Sequence, residues 1–269
     1  MAQIKSMVDS VFAACVVIPV FNHENAIASV VDSVRVHGLP VILVDDGSAP
    51  SCAHELQRLA KLADVTLLRH DFNRGKGAAV CTGLRAARQR GFTHAVQVDA
   101  DGQHTLSDIR RFVEEARNYG NSLICGAPVF DTSMPISRRY GRHLSHASVW
   151  LETLSFDIVD SMCGFRVYPL EPTLALLDRQ RVGQRMDFDI EILVRLHWRD
   201  VPMRWLPTRV SYPHDGVSHY RVFFDNVHVV GLHLRLFAEM LVRLPVLLWK
   251  KSLRTGEARH EEAKRNVNA

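Results

Sequence analysis

Nowhere in the chain does an uncharged apolar run reach the about 18 residues that a membrane-crossing helix requires, so no span is expected. Cysteine is scarce and unpaired: Cys15, Cys52, Cys81, Cys125 and Cys163 are odd in number, scattered and never in a C-x-x-C arrangement. Neither a disulfide framework nor a zinc cage is therefore expected, and the five read as reduced thiols of a cytoplasmic protein. A strong charge of one sign is also missing. The 33 Lys and Arg against 29 Asp and Glu leave +4, too little for a polyanion-binding chain, so nucleic acid is not indicated as a partner. The N-terminal MAQIKSMVDSVFAACVVIPVF lacks a small-residue cleavage site and runs into Pro19 and polar Asn22-His23-Glu24, so no signal peptide is needed to explain it.

What is present is a sizeable apolar fraction, 47% of 269 residues, enough for one globular domain with appendages. ACVVIPV (14 to 20) and PVILVDD (40 to 46) are short, β-branched runs of the kind that form parallel strands covered on both faces. NAIASVVDSVRVHG between them carries apolar residues at helical spacing and closes on Gly38. The unit repeats through a helix in HELQRLAKLA, a strand VTLLRH, a helix from Gly77 to Gln89, a strand HAVQVDA, a helix from Leu106 to Tyr119, and NSLICGA. This βαβ series predicts an α/β fold with a mostly parallel sheet flanked by helices. Residues 126 to 142 read as a loop leading into a helix through HLSHASVWLETLSF; a further helix, DFDIEILVRLHWR, and the strand-like MRWLPTRVSYP follow. The expected organisation is a catalytic-sized domain over 1–225, an amphipathic helix over 226–251, and a charged, disordered tail over 252–269.

Ligands of such sheets bind beyond the carboxyl ends of the strands. The polar signals sit there: Pro19-Val20-Phe21-Asn22, Asp45-Asp46-Gly47-Ser48, Asn73-Arg74-Gly75-Lys76-Gly77 and Asp99-Ala100-Asp101. In VQVDADGQH, Asp99 and Asp101 point to opposite sides of an extended chain unless it turns, and Gly102 permits the turn. Both could then address a nucleotide and a metal; the alternative is a surface Asp-Gly turn. Hard oxygen ligands suit Mg²⁺ or Mn²⁺, ions that bridge to substrate phosphates. A calcium loop of EF-hand type fails, because the twelfth position from Asp99 is Arg110. NRGKG sets Lys76 between glycines at a helix start, able to meet phosphate or ribose oxygens. The spacing G-x-x-x-x-G-K-[ST] is absent, which rejects a P-loop, and no glycine follows the first strand to make a dinucleotide fingerprint.

The set VVIPVFNHEN, VILVDDGS, NRGKGAAVCTGL, VQVDADGQH and CGFRVYP, in this order, resembles a family 2 glycosyltransferase of GT-A fold, in its dolichyl-phosphate mannosyltransferase-like branch. The likeness runs over residues 14 to 220. It implies a UDP- or GDP-linked sugar donor and inversion at the anomeric carbon. It assigns Pro19, Asn22 and Glu24 to the base and ribose pocket, Asp45 and Asp46 to the base and ribose, and Lys76 and Gly77 to the same pocket. By the same resemblance Asp99 faces the sugar or ribose, while Asp101 and Gln103 hold the metal and diphosphate. A divalent metal would neutralise charge on the departing diphosphate.

The acceptor side is less determined. Asp189 and Glu191 do not share a helix face, so one of them, or Asp187, would serve a hydroxyl acceptor as general base. A lipid phosphate is already a nucleophile, and Arg138, Arg139 or Arg142 would position it; each could equally be a solvated loop charge. In PHDGVSHYR, His219 stands where the family carries a lysine near the diphosphate, with Arg221 two residues on. His214 or His219 could complete a metal shell, although a lone histidine is more often structural.

In the last helix Val230, Leu234, Phe237, Leu241, Leu244 and Leu248 form a stripe at helical spacing, with Arg235, Arg243, Lys250 and Lys251 around it. Two readings stand side by side. One is an interfacial helix that places the enzyme peripherally on the inner face of the cytoplasmic membrane, near a lipid or lipid-linked acceptor. The other is packing against the domain or a homodimer partner. A nucleotidyltransferase is disfavoured, since Pro19-Val20-Phe21-Asn22 replaces the glycine-rich signature expected after its first strand; a non-catalytic nucleotide-sugar binder and a soluble acceptor stay open.

Overall fold

The computed structural model describes residues 11–130, 136–210 and 222–267. The βαβ rhythm appears as expected over the first half: β1 (Ala14–Val20), α1 (Ile27–Arg35), β2 (Val41–Asp45), α2 (Pro50–Leu59), β3 (Val65–Arg69), α3 (Lys76–Gln89), β4 (His94–Gln97) and α4 (Ile109–Asn118). After it come β5 (Leu123–Phe130), α5 (Ile136–Thr153), β6 (Arg166–Pro169), α6 (Leu170–Leu177), α7 (Phe188–Trp198), β7 (Met203–Val210) and α8 (Val222–Val267).

The strands form one seven-stranded sheet in the order β3-β2-β1-β4-β6-β5-β7. The chain winds outward from β1 through β2 to β3, then returns to place β4 on the other side of β1. The resulting switch point between β1 and β4 is where an open α/β sheet leaves a crevice. Alternate residues of β1 serve opposite layers: Cys15 and Val17 join a core with α3, α6, α7 and α8, whereas Val16, Ile18 and Val20 join one with α1, α2 and α4. Burial on both faces is why this strand reads as a continuous apolar run.

One strand breaks the parallel pattern. β6 is antiparallel to both β4 and β5, with Gln97 opposite Arg166. Its first residue therefore lies at the same rim as the last residue of β4.

Two expectations need correction. The stretch 126 to 142 is not a loop over its described length: β5 runs to Phe130 in unbroken parallel register with β7, and α5 begins at Ile136. The tail after Lys251 does not part from the preceding helix, because α8 continues to Val267 through Ala-, Glu-, Lys- and Arg-rich sequence of high helix propensity. Among the described residues no helix is long and apolar enough to cross a membrane.

Candidate active site

The centre of the rim is an ammonium between two carboxylates. Lys76, the first residue of α3, follows Gly75, whose φ of +107° is accessible to glycine and strained for other residues. Its Nζ lies 2.9 Å from Asp99 Oδ1, just beyond β4, and 2.9 Å from Asp189 Oδ2, in the first turn of α7. Burial disfavours the ammonium, yet the charges of Asp189 and Asp99 outweigh it and hold Lys76 well above the ordinary lysine range. Asp99 answers in kind. Burial would raise its carboxyl, but the Lys76 charge and a hydrogen bond from His104 hold it far below the usual carboxylate range.

A buried polar layer lies beneath. Gln97 Nε2 donates to Asp189 Oδ1 at 3.3 Å, and Gln97 Oε1 accepts from the Tyr168 hydroxyl at 3.1 Å. Arg166, fully buried, donates to the Asp189 carbonyl at 2.8 Å and to the Ser161 carbonyl at 3.1 Å, and its guanidinium approaches Asp189 Oδ1 at 3.9 Å. Gly164 closes the arrangement: a Cβ there would stand 2.8 Å from Asp99 Oδ2, 2.8 Å from Gln97 Nε2 and 2.9 Å from Lys76 Nζ. A side chain there would have to displace those groups. Cys125 and Cys163 line this region as inert thiols, both pushed up to about 12 by burial.

The nucleotide-side candidates are gathered at the ends of β1 and β2. Pro19 is in β1, and Asn22, with φ of +53°, accepts from the Ala49 amide at 2.7 Å while its own amide donates to Ser48 Oγ at 3.0 Å. Glu24 accepts from Ser51 Oγ at 3.0 Å. Asp45 takes the Ser48 amide at 2.8 Å and pairs with Arg69 at 2.8 Å. Asp46 is turned into the protein: Oδ1 accepts from the Arg74 amide at 2.9 Å and faces His70 Nδ1 at 2.7 Å, and Oδ2 accepts from the Gly75 amide at 2.7 Å. Both of its oxygens therefore hold the loop that presents Lys76. Gly77 is buried against Phe188, whose Cβ would lie 2.5 Å from an added Cβ.

Asp101 and Gln103 stand at the turn made by Gly102, φ +71°, and Asp101 Oδ1 accepts from the Gln103 amide at 3.1 Å. Asp99 Oδ1 is buried and ion-paired but carries no hydrogen bond, leaving it lone-pair capacity toward a cation. Oxygen donors of this kind suit a hard divalent ion. Among the described residues no three His, Cys, Asp or Glu side chains converge as a metal cage, so such an ion would draw further ligands from a bound diphosphate.

Two acceptor-side candidates lie elsewhere in the structure. Glu191 is not in the cluster: it accepts from Arg195 at 2.6 Å, Arg235 at 2.6 Å and the Gly183 amide at 2.7 Å, joining α7 to α8. Two positions beyond Asp189 on a helix, it faces about 200° away, which is the physical reason for the correction. Arg142 is held by Asp160 through contacts of 2.6 and 2.8 Å, so its fork is already occupied. Asp187 accepts from the Arg185 amide at 3.0 Å, and Arg138 and Arg139 fall in the first turn of α5. His214, His219 and Arg221 lie outside the described residues. Sequence reasoning singled out neither Gln97, His104, Tyr168 nor Arg166 as site residues. The available signal was a glutamine and an arginine inside otherwise apolar segments, VQV and FRVYP.

The sequence profile of Glycosyl transferase family 2 matches residues 15–180. The chain belongs to that family. It is 27% identical over 218 residues, 72% of this chain and 86% of the other, to the UDP-N-acetylglucosamine–dolichyl-phosphate N-acetylglucosaminyltransferase of Methanococcus voltae. A dolichyl-phosphate beta-glucosyltransferase of Dictyostelium discoideum is 24% identical over 221 residues, 74% of this chain and 66% of that one. Among solved structures, glucosyl-3-phosphoglycerate synthase from Mycobacterium tuberculosis, in complex with Mn²⁺, UDP-glucose and phosphoglyceric acid, superposes with a TM-score of 0.62. It shares 16% identity and the match covers 87% of this chain and 80% of that one, a likeness of fold. The family 2 member described here is therefore a glycosyltransferase built on the GT-A sheet.

Proposed function

We propose that this enzyme transfers a sugar, with inversion, from a nucleotide-diphosphate sugar to a lipid-linked phosphate at a membrane surface, using Mg²⁺ or Mn²⁺. The observation that carries the reading is Lys76 bridging Asp99 and Asp189, with the Asp99-Ala100-Asp101 turn beside the β1–β4 crevice. The relatives named for dolichyl-phosphate transfer support the acceptor class, and the neighbour crystallised with Mn²⁺ and UDP-glucose supports donor and metal.

In this reading Asn22, Glu24 and Asp45 border the base and ribose, and Lys76 with Asp99 meets the ribose or sugar hydroxyls. Asp101 and Asp99 hold the divalent ion, which when bound withdraws charge from the diphosphate leaving group. The acceptor oxygen attacks the anomeric carbon as the carbon–diphosphate oxygen bond breaks. A phosphate monoester arrives as an anion and needs no base. A hydroxyl acceptor would surrender its proton to Asp189, whose oxygens are already engaged by Lys76 and Gln97; that engagement favours the phosphate. Arg138 and Arg139 are the cations assigned to meet it, since Arg142 is held by Asp160.

The test is a panel of UDP- and GDP-sugars scored for metal-dependent thermal stabilisation, followed by transfer to polyprenyl phosphate. One donor should raise the melting temperature only with Mg²⁺ or Mn²⁺, and Asp101→Asn should cut turnover by about 100-fold or more. Stabilisation without metal, or full turnover in Asp101→Asn, would remove the assigned role.

A further inference from the structure

α7 addresses the lysine turn from two sides. Asp189 does so directly, through the Lys76 ammonium. Glu191, about 200° further round the helix, meets instead the irregular segment between α6 and α7. Its carboxylate is wholly buried and takes three partners: Oε1 accepts from the Arg195 guanidinium at 2.6 Å, and Oε2 from Arg235 at 2.6 Å and the Gly183 amide at 2.7 Å. The three do not depend on it equally. Arg195 also has Glu239 at 2.7 and 2.8 Å, and the Arg235 side chain is 50% exposed to water. Among the described residues the Gly183 amide has Glu191 as its acceptor and no other.

That amide belongs to the segment that clamps the start of α3. The Gln184 carbonyl accepts from the Ala78 amide at 3.0 Å, one of the first-turn donors that a helix leaves without an internal partner. Gly77 lies so close to the segment that an added Cβ would stand 2.7 Å from the Gly183 carbonyl oxygen, and one on Gly75 would stand 2.8 Å from Arg185 Cγ. Lys76 springs from between those two glycines. Asp99 and Asp189 hold the tip of its side chain, and residues 183–185 hold its root. We infer that Glu191 is a positioning residue for sugar transfer: it fixes residues 183–185 against the first turn of α3 and so aims the Lys76 ammonium at the donor. The inference rests on the reading that Lys76 meets the ribose or sugar hydroxyls.

Three variants of the full chain test it, each checked by a thermal melt. Glu191→Met leaves Arg195 on Glu239 and Arg235 in water, and strands the Gly183 amide. Glu191→Gln returns an oxygen to that amide. Arg235→Met opens the contact of α8 with the same carboxylate but leaves the amide its acceptor. Deuterium exchange without ligand should be about tenfold faster at the amides of 76–79 in Glu191→Met and unaltered there in Arg235→Met. With UDP-glucose or UDP-N-acetylglucosamine, Mn²⁺ and polyprenyl phosphate, Glu191→Met should raise the donor KM by about tenfold, leave the acceptor KM in place, and be rescued by Glu191→Gln. A part in folding alone would lower the active fraction, hence kcat, and move neither KM. Unaltered exchange at 76–79 in Glu191→Met, an equal rise in Arg235→Met, or a donor KM that stays put would overturn the inference. Faster exchange in the variant of a chain that transfers nothing would instead sink the acceptor reading while upholding the brace.

Discussion

Lys76 and Asp189 stand 113 positions apart in sequence, yet a single ammonium–carboxylate contact of 2.9 Å joins them. Asp99 takes the other side of the same ammonium, so one lysine ties the turn after β4 to the start of α7. Both carboxylates are largely withdrawn from water, and without the cation they would repel each other.

Lys76→Met should therefore lower unfolding free energy by about 3 kcal/mol, the scale for leaving buried charges uncompensated. Urea denaturation at neutral pH measures it. Lys76→Arg keeps the charge and should recover much of that stability while failing to restore full turnover, because a planar fork does not replace a compact ammonium.

Gly164→Ala adds one methyl where Asp99, Gln97 and Lys76 converge within 2.9 Å. The expected cost is about 1 to 3 kcal/mol of stability from overpacking. Displacement of the three side chains should lower kcat by about 100-fold, with secondary structure unchanged by circular dichroism.

Arg142→Ala leaves Asp160, whose side chain is 4% exposed, with the His146 ring at 3.2 Å as its remaining side-chain partner. Burial raises the Asp160 carboxyl, but the His146 hydrogen bond and the Arg142 charge outweigh it and hold the group below the ordinary carboxylate range. A depressed folded carboxyl contributes stability that is complete above about pH 4 and is lost as pH falls below it. The variant should be less stable by about 3 kcal/mol at pH 7, and the gap should narrow in acid. Paired urea titrations at neutral and acidic pH decide the matter; a gap that widens in acid would contradict the assignment.

Much of the first half was legible because its signals are local. Strands buried on both faces must be apolar, helices that cover them must be amphipathic, and a glycine such as Gly75 or Gly102 marks where the backbone turns at a strand end. The motif order then placed Asp99, Asp101 and Lys76 at one rim. Arg166 and Gln97 were not legible as site residues, since their pairing follows from β6 running antiparallel, which no local pattern of four residues states. Glu191 and Asp189 differ by two positions, and only the docking of α7 selects which of them reaches Lys76.

By itself the sequence determined the layered α/β plan, the family and the carboxylates at the strand ends, because periodicity, backbone chirality and motif spacing act over a few residues. Only the tertiary structure decided which polar groups meet and which side of α8 is covered. An apolar stripe records that a helix face avoids water; what covers that face depends on packing between segments far apart in the chain. Here Leu232, Leu236 and Met240 went inward and Leu234, Phe237 and Leu241 were left outside.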